Sequence, residues 1–464
     1  MKLKKMFRVV GLTAAAAVFV CAFAGCNGSG GGTTGGKDID VISIWSNDTH
    51  SKTVYDEIIN EYNETTGKEK GIRIDYIIKA GDSGSTSIEL ALQTGDAPDL
   101  FGGDMQKFAE LGYIAALEDL PGGQELVDTH KDIIRREVNT YKDKTYCLPA
   151  YATTRGLLYN KDMFKAAGLV DEKGEPTPPK TYDELREYAK KLTNPEKKQY
   201  GIILPMKWSS WFAGDLVALM QSSSGNTGYD FTKGTYDYSE LVPIMKMYLG
   251  IKEDGSYYPA PESLDNDAAR AYFADGNIGM KFGFSFDVGV LNDQFPAKID
   301  WGVAELPVED INNRYLQRMT QSKSYLVNAE SVKDEKKAKK IVEVLKFFQS
   351  DEFTSRIYQA GVAIPVRASA IEGIKLENPP KGWEDFANMV KISIIDEITP
   401  SPVLEGKQEL KDRFVNDVWS GKKTPEQIVE EYNKDINEGL ELFYKNNPDK
   451  EKSYYISPDW DAKR

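Results

Sequence analysis

Aromatic and polar side chains follow the predicted strands at four places in the chain. They are Trp45 and Asn47, Asp104, Trp208 and Trp211, and Phe284 and Phe286. Sugars present apolar C–H faces edged with hydroxyl groups, so a site for them needs flat rings beside side chains that make directed hydrogen bonds. Ligands of open α/β sheets bind beyond the carboxyl ends of the strands. These residues therefore indicate a carbohydrate-binding site.

Each of these positions also has an ordinary structural explanation. Trp208 and Trp211 lie three residues apart, which is helical spacing, so one of them can belong to the core. Alternating Phe284 and Phe286 on a strand is typical of packing. An Asp directly before a helix, such as Asp104, is often only an N-cap.

Residues suited to catalysis are scarce. His50 and His130 lie far apart without a neighbouring Cys or His, so we expect both at the surface and not at a metal. The sequence has no G-x-S-x-G elbow. Acidic residues are numerous, and a carboxylate pair for glycoside hydrolysis stays open because no spacing singles one out. We predict no catalytic residues, no metal ligands and no cofactor.

The elements that would position these residues alternate between strand and helix patterns. Strand patterns at 40–45 and 71–78 are each followed by helical periodicity, at 54–62 and 87–93, before a third strand at 95–101. The alternation continues beyond residue 192, with strand patterns at 200–205, 277–286 and 299–307 and helices at 208–220 and 338–349. This order predicts an α/β fold built on a parallel sheet.

Four motifs resemble the family 1 extracellular solute-binding proteins, which bind sugars for ABC importers. They are GDAPDLF at Gly95–Phe101, YNKDMFKAAGL at Tyr159–Leu169, PPKTYDEL at Pro178–Leu185 and GVAIPVR at Gly361–Arg367. The resemblance covers about residues 38–440. It implies an α/β, two-lobe periplasmic-binding-protein-like fold of type II, with discontinuous lobes and three crossings.

The resemblance also implies where the lobes and the cleft lie. It assigns 38–150 plus 321–363 to the N-lobe and 151–320 plus 364–464 to the C-lobe. The second crossing falls within Gln321–Val327, where the family's usual glycines are missing. Four residues near the crossings become further candidates for ligand contact, namely Tyr151, Arg155, Arg367 and Trp383. Thr153 stands where maltose-binding relatives carry an acid.

The N-terminus has the pattern of a secretion signal. Four basic residues precede an apolar stretch from Val9 to Phe23 that is too short for a comfortable membrane span. Phe23–Cys26 (FAGC) resembles a bacterial lipoprotein box, with Phe in place of the usual Leu. We expect a signal peptide at 1–25, a lipid on Cys26, a flexible Gly/Ser/Thr-rich tether at 26–37, and a location on the extracellular face of the cell membrane. The alternative is an ordinary signal peptide.

Charge and cysteine content restrict the partners. The chain carries a net charge of −14, and removal of the four basic leader residues makes it −18. Such acidity argues against nucleic acid and against electrostatic binding to anionic lipid. Cys147 is the one cysteine beyond the lipoprotein box, so no internal disulfide is expected, and we interpret it as a buried apolar residue.

Together these features predict a monomeric, lipid-anchored binding protein that is not an enzyme. It would capture a carbohydrate, first of all an oligosaccharide, by hinge closure and deliver it to the membrane subunits of an ABC importer. One alternative is the same fold with another solute, such as a polyol phosphate or a short peptide. The other is a secreted glycan-cleaving enzyme.

Overall fold

The computed structural model of the chain describes residues 39–46, 52–79, 83–207, 209–323, 325–395 and 398–462. Its strands, in chain order, are β1 (Asp40–Ser46), β2 (Ile72–Ile78), β3 (Leu100–Phe101), β4 (Thr140–Tyr141), β5 (Lys144–Thr145), β6 (Pro149–Thr153), β7 (Arg155–Asn160), β8 (Tyr200–Ile202), β9 (Tyr229–Asp230), β10 (Thr235–Tyr236), β11 (Ile278–Phe284), β12 (Trp301–Ala304), β13 (Gln317–Lys323), β14 (Leu326–Val327), β15 (Ile364–Pro365) and β16 (Ser393–Ile395). Its helices are α1 (Lys52–Glu64), α2 (Thr66–Lys70), α3 (Ser83–Thr94), α4 (Met105–Glu110), α5 (Gly123–His130), α6 (Lys161–Ala166), α7 (Tyr182–Leu192), α8 (Ser209–Ser224), α9 (Leu241–Glu253), α10 (Asn266–Ala274), α11 (Asp287–Gly289), α12 (Glu335–Phe348), α13 (Asp351–Gln359), α14 (Trp383–Asn388), α15 (Leu410–Arg413) and α16 (Pro425–Asn446). The predicted signal peptide and Cys26 lie outside the described residues, as do Asn47, His50 and Trp208.

The first sheet has the strand order β14-β3-β1-β2. β2 and β3 run parallel to β1, as the strand–helix alternation predicted, whereas β14 returns antiparallel to β3. Ile42 and Ile44 are fully buried, since alternate β1 side chains face the core. Helices α1, α12 and α13 pack their apolar faces on this same core.

The second sheet is mixed and has the order β12-β7-β11-β8. β7 runs antiparallel to both β11 and β12, and β8 runs parallel to β11. Every residue of β11 is buried, so this strand lies at the centre of the second lobe. Helices α7, α8, α9 and α16 contribute to the adjoining core.

A third sheet joins the crossings, with the order β15-β6-β13-β16. β13 and β15 both pair antiparallel with β6, which carries Tyr151. The second crossing within Gln321–Val327 stays a prediction, and that range starts inside β13, which spans Gln317–Lys323. Its sequence, QRMTQSK, lacks the apolar run that marks a buried strand. Gln317 is nevertheless fully buried, because its amide accepts a hydrogen bond from Leu306 N (2.8 Å) and donates one to Arg155 O (3.4 Å).

Side-chain caps mark the starts of the two helices within the family-like motifs. The Asn160 side chain accepts a hydrogen bond from Met163 N at the start of α6, and Gly168 just beyond α6 adopts a left-handed φ of 70°. Thr181 accepts from Glu184 N at the start of α7. The Glu184 carboxylate accepts from Lys180 N, one residue before the capping Thr.

Asp99, in the GDAPDLF motif, is a buried carboxylate that ties β1 to the loop after β14 and to α12. It is 4% exposed and accepts hydrogen bonds from Ser43 N (2.9 Å), Ser43 Oγ (3.0 Å) and Ser331 Oγ (2.5 Å), and it pairs with Lys337 at 2.7 Å. Burial alone would raise the pKa of Asp99. The hydrogen bonds from Lys337, Ser331 and Ser43 outweigh it, so the pKa is lowered.

We expect Asp99→Asn to lower the free energy of unfolding near neutral pH by about 2 kcal/mol, because Lys337 and the two serines lose an ionised partner. A carboxylate whose folded-state pKa is depressed stabilises the protein above its unfolded-state pKa of about 3.9, and this stabilisation is lost as the pH falls through the folded-state value. Denaturant titrations at about pH 7 and about pH 3 should therefore show the difference between wild type and variant shrinking in acid.

Asp96→Asn is the matched control, because Asp96 is exposed three residues earlier in the same motif. It should change the unfolding free energy by less than about 0.5 kcal/mol. A penalty for Asp99→Asn that is equally large at both pH values would contradict an ionised role for Asp99.

Candidate ligand-binding site

The antiparallel pairing of β7 with β11 brings two predicted site residues together. Arg155 begins β7 and Phe284 ends β11, and the register places them directly opposite each other. The Arg155 guanidinium lies over the Phe284 ring, 4.2 Å from its centroid. At this distance a guanidinium is attracted by the negative face of the ring. Residues 129 positions apart in sequence thus share one edge of the second sheet.

Phe286 extends this arrangement as an exposed aromatic surface. The Phe284 and Phe286 rings stack with centroids 5.0 Å apart and planes within 9°. Phe284 is 9% exposed, whereas Phe286 is 43% exposed. The Arg270 guanidinium lies 5.5 Å from the Phe286 centroid. Two stacked rings flanked by two guanidiniums therefore form a rigid platform, of which Phe286 is the solvent-facing part.

A buried carboxylate holds the turn that carries this platform. Asp287 is fully buried and accepts hydrogen bonds from Arg270 Nε (2.7 Å) and Phe284 N (3.1 Å). The Lys281 ammonium lies 3.6 Å from it and donates to Phe282 O at 2.7 Å. Burial lowers the pKa of Lys281, and the Asp287 carboxylate opposes that shift. The network fixes the backbone at Phe284, and hence the direction in which Phe286 leaves the sheet.

Arg155 is held in place by a residue that the sequence analysis missed. Its guanidinium pairs with the Asp215 carboxylate of α8, and the two side chains are 14% and 11% exposed. Burial raises the pKa of Asp215, and the charge of Arg155 opposes the rise. The available signal was spacing, because Asp215 follows the candidate Trp211 by four residues, one helical turn.

In the first lobe, Trp45 and Lys79 lie together at the carboxyl ends of β1 and β2. The Lys79 ammonium lies 4.2 Å from the centroid of the half-buried Trp45 ring. Lys79 N also donates to Ser46 O at 2.7 Å, which continues the strand pairing past β2. Because parallel strands end at the same edge, this is the position that the sequence predicted for ligand contact. Lys79 was missed, although it directly follows a strand.

Tyr151 lies where the crossings meet the first sheet. Its hydroxyl hydrogen-bonds to that of Tyr55 at 2.8 Å, and Tyr325 donates to Tyr76 at 3.2 Å. The rings of Tyr55 and Tyr76 are 5.5 Å apart, so the four tyrosines form one cluster. Burial raises the pKa of Tyr55 well above its ordinary value. The Tyr55 hydroxyl therefore stays protonated and can both donate and accept hydrogen bonds.

Three predicted site residues have structural roles in the described conformation. Asp104 is exposed and caps α4 by accepting from Lys107 N at 3.2 Å. Arg367 donates to Gln349 O and pairs with Asp351, both at 2.8 Å. Trp383 is 2% exposed and donates its indole N–H to Tyr358 O at 3.0 Å. Trp383 is therefore a core residue with no ring face available to a ligand, and we leave it out of the site.

The structure confirms the expectation for Cys147, contradicts the one for His130 and leaves three ligand contacts as predictions. Cys147 is buried, as expected. His130 is also buried, at 2% exposure, so the expectation that it lies at the surface is wrong; its Nδ1 hydrogen-bonds to Leu126 O at 2.8 Å. Trp211 lies in the first turn of α8. Ligand contact for Trp211, and for Asn47 and Trp208 outside the described residues, stays a prediction.

Comparison with known proteins gives the family. The model of the bacterial extracellular solute-binding proteins matches residues 47–354, well over half of the chain. This chain belongs to that family. Across the helices of the described residues, none combines the length and the apolar composition of a membrane span.

Curated relatives of this solute-binding protein are distant. A putative binding protein of Brucella abortus (strain 2308) is 24% identical over 62% of this chain and 66% of its own length. A maltotriose-binding protein of Pyrococcus abyssi is 29% identical over 48% of this chain and 44% of its own length. An sn-glycerol-3-phosphate-binding periplasmic protein of Yersinia enterocolitica is 26% identical over 61% and 64%, respectively. The chain thus spans less than two thirds of these relatives.

Solved structures share the fold over nearly the whole described chain. The cyclic alpha-maltosyl-1,6-maltose binding protein of Arthrobacter globiformis matches with a TM-score of 0.63 at 16% identity, covering 88% of this chain and 100% of that one. The GacH receptor of Streptomyces glaucescens, solved unliganded and with acarbose, matches with a TM-score of 0.62 at 17% identity, covering 86% and 98%. The two-lobe α/β fold with three crossings is thereby confirmed.

The network around Asp287 yields a test with an internal control. Arg270 pairs with the buried Asp287 and also with Asp267, whose side chain is 60% exposed. We expect Asp287→Asn to lower the unfolding free energy by about 3 kcal/mol, because it leaves Arg270 and Lys281 buried without their shared anion. Asp267→Asn should cost less than about 1 kcal/mol, since an exposed pair contributes little.

Denaturant titration of both variants near neutral pH measures the two penalties. Similar losses for Asp287→Asn and Asp267→Asn would show that Asp287 does not hold the turn.

Proposed function

We propose that this protein captures a carbohydrate between its lobes and delivers it to an ABC importer. The observation that supports this best is the Phe284–Phe286 platform beside the Arg155–Asp215 pair. A flat, exposed ring fits the apolar face of a sugar, and a neighbouring carboxylate and guanidinium can accept from and donate to its hydroxyls. This combination suits a polyhydroxylated solute better than a purely apolar one.

The charge arrangement favours a neutral sugar over a phosphate ester. Phosphate sites typically use Arg side chains bidentately. Here each candidate guanidinium already has a carboxylate partner: Arg155 pairs with Asp215, Arg270 with Asp287, and Arg367 with Asp351. An incoming phosphate would have to displace these anions. We therefore rank the polyol phosphate below the carbohydrate, despite the relative that binds sn-glycerol-3-phosphate.

The similarities support an oligosaccharide in particular. The matched relative from Pyrococcus abyssi is a maltotriose-binding protein, and the matched structure from Arthrobacter globiformis binds a cyclic maltosyl-maltose. Aromatic groups in both lobes, Trp45 in one and Phe286 in the other, could contact successive sugar units. The proposed function needs no catalytic residue, because capture and delivery of a solute require only binding and release.

The proposed mechanism is a shift of population between open and closed lobes. A ligand that contacts both lobes only when they close favours the closed state by its difference in affinity for the two states. We propose lobes at 38–150 plus 321–363 and 151–320 plus 364–464, with Tyr151 at the crossing between them. The importer would then recognise the closed shape.

The proposed cellular setting follows from the N-terminal sequence. We propose that a signal peptide at 1–25 is removed, that Cys26 carries a lipid, and that residues 26–37 tether a monomeric protein to the extracellular face of the cell membrane. The tether would allow the lobes to reach the importer.

Phe286→Ala tests the platform against a matched control. Phe295 is exposed to the same degree, 42% against 43%, so Phe295→Ala removes an equal aromatic surface elsewhere. We expect one class of oligosaccharide to raise the melting temperature of the wild type and of Phe295→Ala. Phe286→Ala should bind that class about tenfold more weakly, because a stacked aromatic contact is lost.

Thermal-shift screening against mono- and oligosaccharides, sn-glycerol-3-phosphate and short peptides, followed by calorimetric titration, gives both readouts. Stabilisation by the phosphate ester or a peptide while every sugar is inert would overturn the carbohydrate assignment. Equal affinities of the two Phe variants would remove Phe286 from the site. Release of reducing ends from an oligosaccharide would favour the glycan-cleaving enzyme.

A further inference from the structure

The segment after α16 spans the two lobes. Residues 450–462, here called the C-terminal strap, are anchored on the second lobe at several points. Tyr455 is 3% exposed in that lobe's core, and Ser457 N donates to Phe231 O at 2.8 Å. The Trp460 ring lies 4.5 Å from that of Phe231, and Leu316 N donates to Ala462 O at 3.1 Å. The strap therefore moves with the second lobe.

The other side of the strap contacts the loop that precedes β4. The Lys450 ammonium lies 2.6 Å from the Glu137 carboxylate, whose side chain is 8% exposed. The Arg136 guanidinium lies 3.6 Å from the centroid of the Tyr454 ring. An ion pair whose carboxylate is largely shielded from water and a close cation–π contact thus join the strap to this loop.

Glu137 is held in place by the first lobe. It has a φ of 55°, in the left-handed region that non-glycine residues rarely adopt. Its N–H donates to Thr140 Oγ1 at 3.0 Å, and its carbonyl accepts from Gln106 Nε2 of α4 at 3.0 Å. A strained residue persists only where its surroundings hold it. The carboxylate that Lys450 meets is therefore presented by a fixed part of the first lobe.

This contact lies toward the ligand-facing edge of the first sheet. Helix α4 starts directly after Asp104, just beyond the carboxyl end of β3. A cavity of about 660 Å³ separates α4 and the loop from the strap, lined by Gln106, Glu110 and Tyr141 on one side and by Asn447, Ser453 and Tyr454 on the other. Because this edge faces the cleft, we expect contacts between the lobes here to shorten when the cleft closes.

We propose that the strap is an interlobe latch that favours the closed arrangement through Lys450–Glu137 and Arg136–Tyr454. The latch rests on the proposed function, because closure matters only in a protein that closes on a solute. Through the latch, Lys450 of the second lobe binds the Glu137 carboxylate, which the first lobe holds in a fixed position. The affinity for solute then depends on residues that need not touch it.

Lys450→Glu tests the latch without any ligand. Spin labels at Lys68→Cys and Lys173→Cys, both exposed and one in each lobe, report the distance between the lobes. Cys21 and Cys26 are replaced by Ser, and Cys147 is buried from the label. Lys450→Glu should shift the distance distribution of the ligand-free protein away from that of the wild type, toward more open lobes. Lys450→Glu combined with Glu137→Lys should restore it.

Lys452→Glu is the control, because it makes the same charge change at an exposed lysine of the strap. With the oligosaccharide that stabilises the wild type, Lys450→Glu should weaken binding about three- to fivefold and Lys452→Glu should leave it unchanged. An unshifted distance distribution for Lys450→Glu, or equal effects of the two variants, overturns the latch. If no sugar binds any variant, the proposed function fails while the distance measurement still decides the latch.

Discussion

The passages of the chain between the lobes are hydrogen-bonded to one another, and the site depends on that pairing. β6 pairs with β13 and β15, so the crossings form one sheet and not separate flexible linkers. Gln317 of β13 donates to Arg155 O, two residues past the end of β6. Tyr151 of β6 is fixed to α1 through Tyr55. Motion of the lobes must therefore bend this sheet. The pairing keeps Arg155 and Tyr151 each in a fixed position relative to its own lobe.

Buried charge has a positional role at the edge of the second sheet. Burying an ion pair costs desolvation energy, which its mutual attraction offsets only with good geometry and further hydrogen bonds. Asp287 satisfies both conditions, since its oxygens meet Arg270, Lys281 and Phe284 N. Apolar residues could pack this region with equal stability, but they would not fix the backbone that carries Phe286. The charged network therefore contributes a defined orientation of the Phe286 ring and no additional stability.

Local sequence signals predicted the elements that depend on local physics. The strands β1, β2 and β11 follow from apolar patterns that are read over a few residues. Phe284, Phe286 and Arg155 were also identified, but their contact was not. That contact depends on an antiparallel register between segments far apart in the chain.

The failures have the same origin. Trp383 was placed near the cleft by its distance from the third crossing, but the pocket formed with Tyr358 buries it. Asp215 and Lys79 gave only weak local signals, because an ionised side chain beside an aromatic residue is also typical of a solvated surface. β13 was not predicted, because its polar side chains find buried partners that only the folded chain supplies.

A hinge protein needs contacts between its lobes that are weak enough to yield to the ligand. A ligand shifts the lobes only by the difference in its affinity for the two states, and an interlobe contact adds to the closed state whether or not ligand is present. A strong contact would close the empty protein and remove its response. Lys450 is 30% exposed while Glu137 is 8% exposed. The lysine therefore stays partly hydrated, and the interaction energy of the ion pair remains modest. Such a contact lowers the free energy of the closed state in the ligand-free protein, and ligand binding is still required to close the lobes.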